Sequence, residues 1–147
     1  MTTTTVLLVE DDPNDVFFFQ NVWKKAGIVN PLRVAKDGQE ALDYLEGAGE
    51  FADRDKYPLP CLTILDLKLP RVMGLEVLKR IREHPALRKL IVIVLSSSLS
   101  DEDISEVYEL GGNAYLVKPP EMGRLADIVK AIKHFWLTHN HAPSLPR

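Results

Sequence analysis

Short apolar runs alternate along the chain with longer amphipathic stretches. Four runs rich in Val, Ile and Leu are continuously apolar, which predicts parallel strands covered on both faces. They are Val6–Val9, Leu62–Leu65, Ile91–Leu95 and Ala114–Val117. A fifth segment, 31–35, alternates apolar and polar residues and therefore predicts a shorter strand at an edge of the sheet.

Five amphipathic stretches separate these runs and predict helices. The first begins at Asp12-Pro13, an N-cap residue followed by the residue best tolerated at the first helical position, and ends near Gly27. Helical spacing in the fourth predicts that Ile104, Val107 and Tyr108 face inward. The remaining bounds are 38–45, 74–83, Ser100 to Gly111, and 122–137.

Strands that alternate five times with helices predict an α/β fold. We expect a flavodoxin-like doubly wound (βα)5 sandwich, whose five-stranded parallel sheet has the strand order 2-1-3-4-5 and right-handed crossovers. The 147 residues suit one domain, which we place at 5–137, followed by a flexible tail at 138–147. Segment 47–60 is the one long irregular stretch, and loops of that length tend to be functional or mobile.

Composition narrows the class of protein. The 18 basic and 21 acidic residues give a net charge of -3 without a long block of either sign, which argues against a nucleic-acid surface. Cys61 is the only cysteine, so an internal disulfide is excluded and a reducing compartment is favoured. The start of the chain lacks a secretory signal, and no apolar run approaches the roughly 20 residues of a membrane span. We expect a soluble, cytoplasmic protein with neither nucleic acid nor membrane as a partner.

Polar side chains follow the apolar runs where the predicted strands end. Because parallel strands share one carboxyl edge, these side chains should gather there. Neighbouring acids repel one another unless a divalent cation supplies charge, and Mg²⁺ suits carboxylates, a backbone carbonyl and water. The four histidines have no consistent ligand spacing, so a transition-metal site is not expected. The gathered set is Glu10, Asp11, Asp66, Ser96 and Lys118, while Asp12 is assigned to capping the first helix.

Such a site can accept a phosphoryl group, because that chemistry requires positioning and charge neutralisation. Asp66 is the best nucleophile, since it stands alone at the end of a central strand. Ser96 could donate a hydrogen bond to the phosphate, and Lys118 could pair with another of its oxygens.

Four motifs resemble the receiver domains of two-component response regulators over roughly residues 5–137. They are Leu7-Leu8-Val9-Glu10-Asp11-Asp12, Leu65-Asp66-Leu67-Lys68-Leu69-Pro70 followed by Gly74, Val94-Leu95-Ser96-Ser97-Ser98, and Tyr115-Leu116-Val117-Lys118-Pro119. The acidic loop 49–60 and Phe135-Trp136-Leu137 are also similar to the corresponding segments of the small response regulators that partner bacterial phytochromes and related sensor kinases.

The resemblance implies a role for each matching residue. Asp66 becomes the aspartyl phosphate and holds Mg²⁺ together with Asp11, while Glu10 assists through water and the backbone carbonyl of Lys68 completes the ligands. Ser96 matches the switch hydroxyl. Tyr115 matches the aromatic residue that moves inward, and Lys118 matches the lysine that balances the charge of the phosphate. The resemblance also implies a cis peptide bond between Lys118 and Pro119.

The resemblance also implies partners. A sensor histidine kinase, phytochrome-type in the narrower resemblance, or a phosphotransfer protein donates the phosphoryl group, so the chain is not an enzyme acting on a diffusible substrate. With no effector domain after residue 137, we expect output by protein contact. The expected face comprises the fourth helix, fifth strand and fifth helix, around Ser105, Tyr115 and Phe135-Trp136, and it could support a homodimer.

Three other functions would require different features of the sequence or none of this chemistry. A phosphatase with an aspartyl nucleophile usually carries a general acid two residues later, where this chain has Lys68. A nucleotide carrier would need a glycine-rich loop after the first strand, and none is present. A receiver-like docking module that works without phosphorylation remains open.

Overall fold

A five-stranded parallel sheet forms the centre of the molecule. The computed structural model describes residues 4–145, with the side chain of Met122 excepted. The order β2-β1-β3-β4-β5 confirms the predicted topology and the edge position of segment 31–35. The strands are β1 Val6–Val9, β2 Leu32–Ala35, β3 Leu62–Leu65, β4 Val92–Ser96 and β5 Ala114–Val117.

Helices cover both faces of this sheet. α1 and α5 pack against each other on one face, and α2, α3 and α4 form a row on the other. Short helical segments at Gly49–Ala52 and Phe135–His139 complete the described elements. The doubly wound (βα)5 architecture is therefore confirmed. The helices are α1 Pro13–Lys25, α2 Gly38–Glu46, α3 Gly74–Glu83, α4 Asp101–Glu109 and α5 Met122–His134.

The apolar runs form two cores because successive strand side chains point to opposite faces. Leu7 and Val9 of β1 pack with α2, α3 and α4, whereas Val6 and Leu8 pack with α1 and α5. β1, β3 and β4 are buried along their whole length. β5 is only partly buried because it is an edge strand, although its sequence is as apolar as theirs.

The inward face of α4 is narrower than its sequence predicts. Val107 is fully buried and Ile104 is partly buried, but Tyr108 is 53% exposed. The prediction that Tyr108 faces inward is wrong. α4 contacts α3 and the edge strand β5, and a helix at the rim of a sheet has less apolar surface to cover than one over its centre.

Segment 47–60 is packed against α2. The guanidinium of Arg54 donates hydrogen bonds to the carbonyl oxygens of Tyr44 (2.7 Å), Leu45 (2.6 Å) and Tyr57 (3.2 Å). The rings of Tyr44, Phe51 and Tyr57 contact one another, with centroid separations of 5.3, 6.0 and 5.0 Å. Arg54 therefore donates to two carbonyls in the last turn of α2, where few helical N–H groups follow.

The same segment lies beside the edge strand β2. Arg33 of β2 donates a hydrogen bond to the carbonyl oxygen of Lys56 at 3.1 Å. The Arg33 guanidinium and the Lys56 ammonium each lie 5.4 Å from the centroid of the Tyr57 ring. These contacts connect the long loop to the sheet as well as to α2.

The chain stays packed beyond residue 137. The predicted domain end falls inside the helical segment Phe135–His139, where Thr138 Oγ1 donates to the carbonyl oxygen of Lys133 at 2.7 Å. Farther on, Ala142 and Leu145 are partly buried and each packs against one of the two cores. Within the described residues, no helix is long and apolar enough to cross a membrane.

Candidate functional site

Three carboxylates meet at the carboxyl edge of the sheet. The register pairs Val9 with Leu65, so Glu10 and Asp66 leave adjacent strands side by side. Glu10 is 4% exposed and Asp66 is 8% exposed, whereas Asp11 is open to solvent. One carboxylate oxygen from each of the three residues lies within 4.8 Å of the others. This oxygen cluster fits a hard divalent cation such as Mg²⁺.

Lys118 supplies positive charge to the cluster. It follows β5, and its backbone N–H donates to the carbonyl oxygen of Ser96 at 2.8 Å. Its ammonium donates to a carboxylate oxygen of Glu10, to Asp66 Oδ2 at 2.9 Å and to Asp15 Oδ2 at 3.4 Å. The structure thus brings Lys118 into the same group as the acids.

Asp15 is the member of this group that the sequence analysis missed. It lies in the first turn of α1, directly after the acids of β1, and its side chain is about half exposed. That position is the signal that could have identified it, because a helix starting at the site must present its first turn there. Asp12 acts as the predicted cap: its Oδ1 accepts from the backbone N–H groups of Asn14 (2.8 Å) and Asp15 (3.4 Å).

For both Glu10 and Lys118, burial and the hydrogen bond between the two side chains shift the pKa in opposite directions. Burial raises the pKa of Glu10 to about 7, with a further increase from the charge of Asp66, although the hydrogen bond from Lys118 opposes the shift. Burial also lowers the pKa of Lys118, but its hydrogen bonds to Glu10 and Asp66 outweigh this effect and raise the pKa overall. The ammonium therefore stays charged while Glu10 exchanges protons near neutrality.

The loop after β3 holds Asp66 in place. Asp66 Oδ1 accepts from the backbone N–H of Leu67 at 2.7 Å, and the N–H of Gly74 donates to the Leu67 carbonyl at 2.9 Å. A Cβ atom at Gly74 would lie 2.2 Å from the carbonyl oxygen of Asp66, so only glycine allows this approach. Lys68 is exposed in this loop, and the ligand role of its carbonyl stays a prediction.

Ser96 and Tyr115 are connected through a residue that the sequence analysis assigned no role. Ser96 ends β4 and is 1% exposed, and its Oγ accepts from the N–H of Ser98 at 3.2 Å. Tyr115 is partly buried in β5, and its hydroxyl donates to the Ser98 carbonyl at 2.8 Å. Both predicted switch residues therefore contact the backbone of Ser98.

The peptide bond between Lys118 and Pro119 is trans, since the described residues contain no cis peptide bond. The expected cis bond is wrong for this structure. The trans form is the ground state of such bonds by about 0.5–1 kcal/mol, and in this form the Lys118 ammonium already reaches Glu10 and Asp66.

A cavity of about 170 Å³ opens beside the acids. Glu10, Asp66 and Lys118 line its polar part, and Phe18 and Leu125 contribute to its apolar part. A group entering from solvent can therefore approach Asp66 next to the lysine. The arrangement combines an accessible carboxylate, a cation and a set of metal-binding oxygens, which is what phosphoryl transfer requires.

Known proteins are similar to this chain in sequence. The chain is 37% identical over 141 residues to the probable methanogenesis regulatory protein FilR2 of Methanothrix harundinacea, covering 94% of this chain and 86% of that protein. It is 38% identical over 132 residues to the response regulator Rcp1 of Synechocystis, covering 90% and 88%.

Solved structures of known proteins share the fold of this chain. The phosphorylated cyanobacterial phytochrome response regulator RcpA superposes with a TM-score of 0.90 at 36% identity, covering 97% of this chain and all of that one. The Mn²⁺-bound form of Rcp1 gives a TM-score of 0.86 at 36% identity, covering 95% and 99%. A family model described as the response regulator receiver domain matches residues 6–130. The chain therefore belongs to the response regulator receiver family of two-component signalling.

Proposed function

We propose that this response regulator accepts a phosphoryl group on Asp66 in a Mg²⁺-dependent reaction. The observation that carries the proposal is the position of Asp66: a buried carboxylate hydrogen-bonded to Lys118, within 4.8 Å of two further acids and beside an open cavity. A phosphohistidine on a sensor histidine kinase or phosphotransfer protein is the donor. Its N–P bond breaks as a carboxylate oxygen of Asp66 forms an O–P bond.

Each neighbouring residue has a task in that step. Asp11 and Asp66 would hold the Mg²⁺ ion, with Glu10 acting through water and the Lys68 carbonyl as a further ligand. The ion, when bound, neutralises phosphoryl oxygens. The Lys118 ammonium already contacts Asp66 and transfers one of its hydrogen bonds to a phosphoryl oxygen. The Mn²⁺-bound form of Rcp1 supports a divalent ion in a receiver of this fold.

Signalling follows from the strand beside the site. The Ser96 hydroxyl donates a hydrogen bond to the phosphoryl group, and Tyr115 responds through the loop at Ser98, which both residues contact. The change reaches the face formed by α4, β5 and α5, where Tyr108 and Phe135 are each 53% exposed. This face contacts a target protein or a second copy of the chain. The cytoplasm, where kinase phosphohistidines are formed, is the proposed location.

The first test uses a small-molecule phosphodonor with Mg²⁺ and intact-mass measurement. We expect one added phosphoryl group in the wild type and in the control Asp127→Asn, an exposed aspartate of α5. Asp66→Asn should carry none, and EDTA should slow the reaction. An adduct on Asp66→Asn would place the acceptor elsewhere, and no adduct on the wild type would favour the phosphorylation-independent docking module.

Sequence identity does not select the kinase class. FilR2, named for methanogenesis, and Rcp1 are 37% and 38% identical to the chain, whereas RcpA, named for phytochrome, superposes with a TM-score of 0.90. We therefore propose a phytochrome-type kinase as the donor. Phosphotransfer profiling against a phytochrome kinase and a kinase without a chromophore domain tests this choice: faster transfer from the latter would contradict it.

A further inference from the structure

Four hydrogen bonds meet at Ser98, in the loop between β4 and α4. Its N–H donates to Ser96 Oγ at 3.2 Å, and its carbonyl accepts from the Tyr115 hydroxyl at 2.8 Å. Its own Oγ donates to Asp103 Oδ2 at 2.6 Å and accepts from the N–H of Ser100 at 3.2 Å. One residue therefore contacts both predicted switch residues and the first turn of α4.

The contact with α4 is a modified helix cap. Ser100 is the N-cap of α4, and its Oγ accepts from the N–H of Asp103 at 3.4 Å. In a capping box the acid at this third helical position accepts from the N–H of the cap residue. Here the Ser98 hydroxyl stands between them, accepting from Ser100 and donating to Asp103. The cap of α4 thus extends back into the loop that carries the switch hydroxyl.

We propose that Ser98 and Asp103 are a positioning pair that holds Ser96 and Tyr115 in the arrangement required for phosphoryl binding. The inference rests on the proposed function, since it concerns how Ser96 meets a phosphoryl group. Neither member of the pair contacts the acids or Lys118 through any hydrogen bond or ion pair among the described residues.

The hydrogen bond from Ser98 prepares Ser96 to act as a donor. A hydroxyl that accepts one hydrogen bond still has its own hydrogen to donate. The Ser98 N–H therefore fixes the Ser96 oxygen without using that hydrogen. The Ser98 carbonyl fixes the Tyr115 ring at the same time. Both are backbone groups of one residue, so the side-chain bond to Asp103 orients them together.

That side-chain bond is well suited to positioning. A hydrogen bond from a hydroxyl to a carboxylate is shorter and stronger than one between neutral groups. Both Ser98 and Asp103 are also only partly exposed. Without the bond, the loop would populate arrangements in which the Ser98 N–H no longer points at Ser96. A phosphoryl group arriving at Asp66 would then have to select the competent fraction.

The pair can be tested before any phosphorylation, through hydrogen exchange of the amide at position 98. We expect Ser98→Ala and Asp103→Asn to speed this exchange on the order of fivefold, the effect of losing one hydrogen bond. Asp101→Asn, the same change two residues earlier in an exposed position, is the matched control and should not. An unchanged exchange rate in both variants would contradict the proposal that this pair positions the loop.

The phosphorylation rate at saturating Mg²⁺ tests the consequence. Ser98→Ala, Asp103→Asn and the double variant should each be slower by roughly fivefold, and the double variant no slower than either single one. Ser98→Thr keeps the hydroxyl and should restore the rate. Mg²⁺ affinity should stay as in the wild type, while the free energy of unfolding should fall by about 1 kcal/mol in the Ala and Asn variants because the cap of α4 is weakened.

Two results would overturn the positioning role: additive losses in the double variant, or faster phosphorylation, which would mean that the pair holds a resting state. A wild type that takes no phosphoryl group would instead refute the proposed function, while the exchange experiment would still decide whether the pair orients the loop.

Discussion

Two partly buried cations lie at opposite ends of the sheet, and their hydrogen-bond partners differ in charge. Lys118, at the carboxyl end, contacts three carboxylates beside a cavity. Arg82, at the end of α3, lies by the amino ends of β4 and β5, and its acceptors within residues 4–145 are all neutral. These are the carbonyl oxygens of Gly111 (2.8 Å), Arg88 (3.0 Å) and Leu90 (2.7 Å) and the side-chain Oδ1 of Asn113 (2.9 Å).

The difference follows from the chemistry of the two side chains. A guanidinium presents several donors in a rigid plane, so Arg82 can join four fixed acceptors from the two segments that precede β4 and β5. An ammonium is a compact charge on a flexible stem, so Lys118 can give up one carboxylate and accept a phosphoryl oxygen instead. Arg82 therefore stabilises the fold, whereas Lys118 can exchange one hydrogen-bond partner for another.

Removing the exchangeable charge should have the largest effect. Lys118→Met should slow phosphorylation by a small-molecule donor about a thousandfold, because a preorganised positive charge is lost from the transition state. Lys130→Met, an exposed lysine of α5, is the matched control and should react like the wild type. A loss below about tenfold would mean that the two cations do not differ as described.

Removing the fixed cation should affect stability instead. Arg82→Met should lower the free energy of unfolding by about 2–3 kcal/mol in urea denaturation, since several charge-assisted hydrogen bonds are lost at once. Arg88→Met removes an exposed guanidinium and should change little. The phosphorylation rate of folded Arg82→Met should match that of the wild type. A large decrease would show that the two ends of the sheet are coupled and do not have separate roles.

The carboxyl end should also respond to pH. Burial raises the pKa of Glu10 to about 7 in the metal-free protein, so below neutrality a proton competes with the ion. Calorimetric titration should show Mg²⁺ binding about tenfold more weakly at pH 6 than at pH 8. Glu10→Gln should flatten this dependence between those two values. Affinity that strengthens on acidification would contradict the assignment.

The smallest expected effect lies between the two ends. Thr63 is in the middle of β3, and its hydroxyl is the one buried side-chain polar atom without a hydrogen-bond partner among the described residues. Thr63→Val should raise the free energy of unfolding by about 1 kcal/mol, because an unpaired polar group is removed from an apolar site. Val92→Thr, at the paired position of β4, is the reverse change and should destabilise the protein. A destabilised Thr63→Val would show that the hydroxyl has a partner.

The sequence predicts the strand ends well, for a physical reason. A buried parallel strand carries no charged residue until it reaches the edge of the sheet, so the first charged residue marks both the end of the strand and the position of the site. Glu10 and Asp66 were located in this way, and the strand register places them together. Asp12 was identified as a cap because its contacts are local.

Contacts between distant segments carry no such signal. Arg82 and Arg54 bind backbone carbonyls, which every residue possesses, so nothing in the sequence identifies their acceptors. The position of Asp15 in the first turn of α1 indicates that it lies near the site, but its bond to Lys118 and the local bond from Ser98 to Asp103 depend on side-chain directions that appear only when the helices are placed. The exposure of Tyr108 likewise depends on how far α4 extends over the sheet edge.

The contacts of segment 47–60 with β2 also bear on the behaviour of concentrated protein. An edge strand offers unpaired backbone groups to any neighbouring chain, and charges or covering loops along the edge discourage such pairing. Arg33 places a charge in β2, and its hydrogen bond to Lys56 holds the loop beside the strand. The loop thus protects one of the two edges, β2 and β5, at which this sheet could be extended into an aggregate.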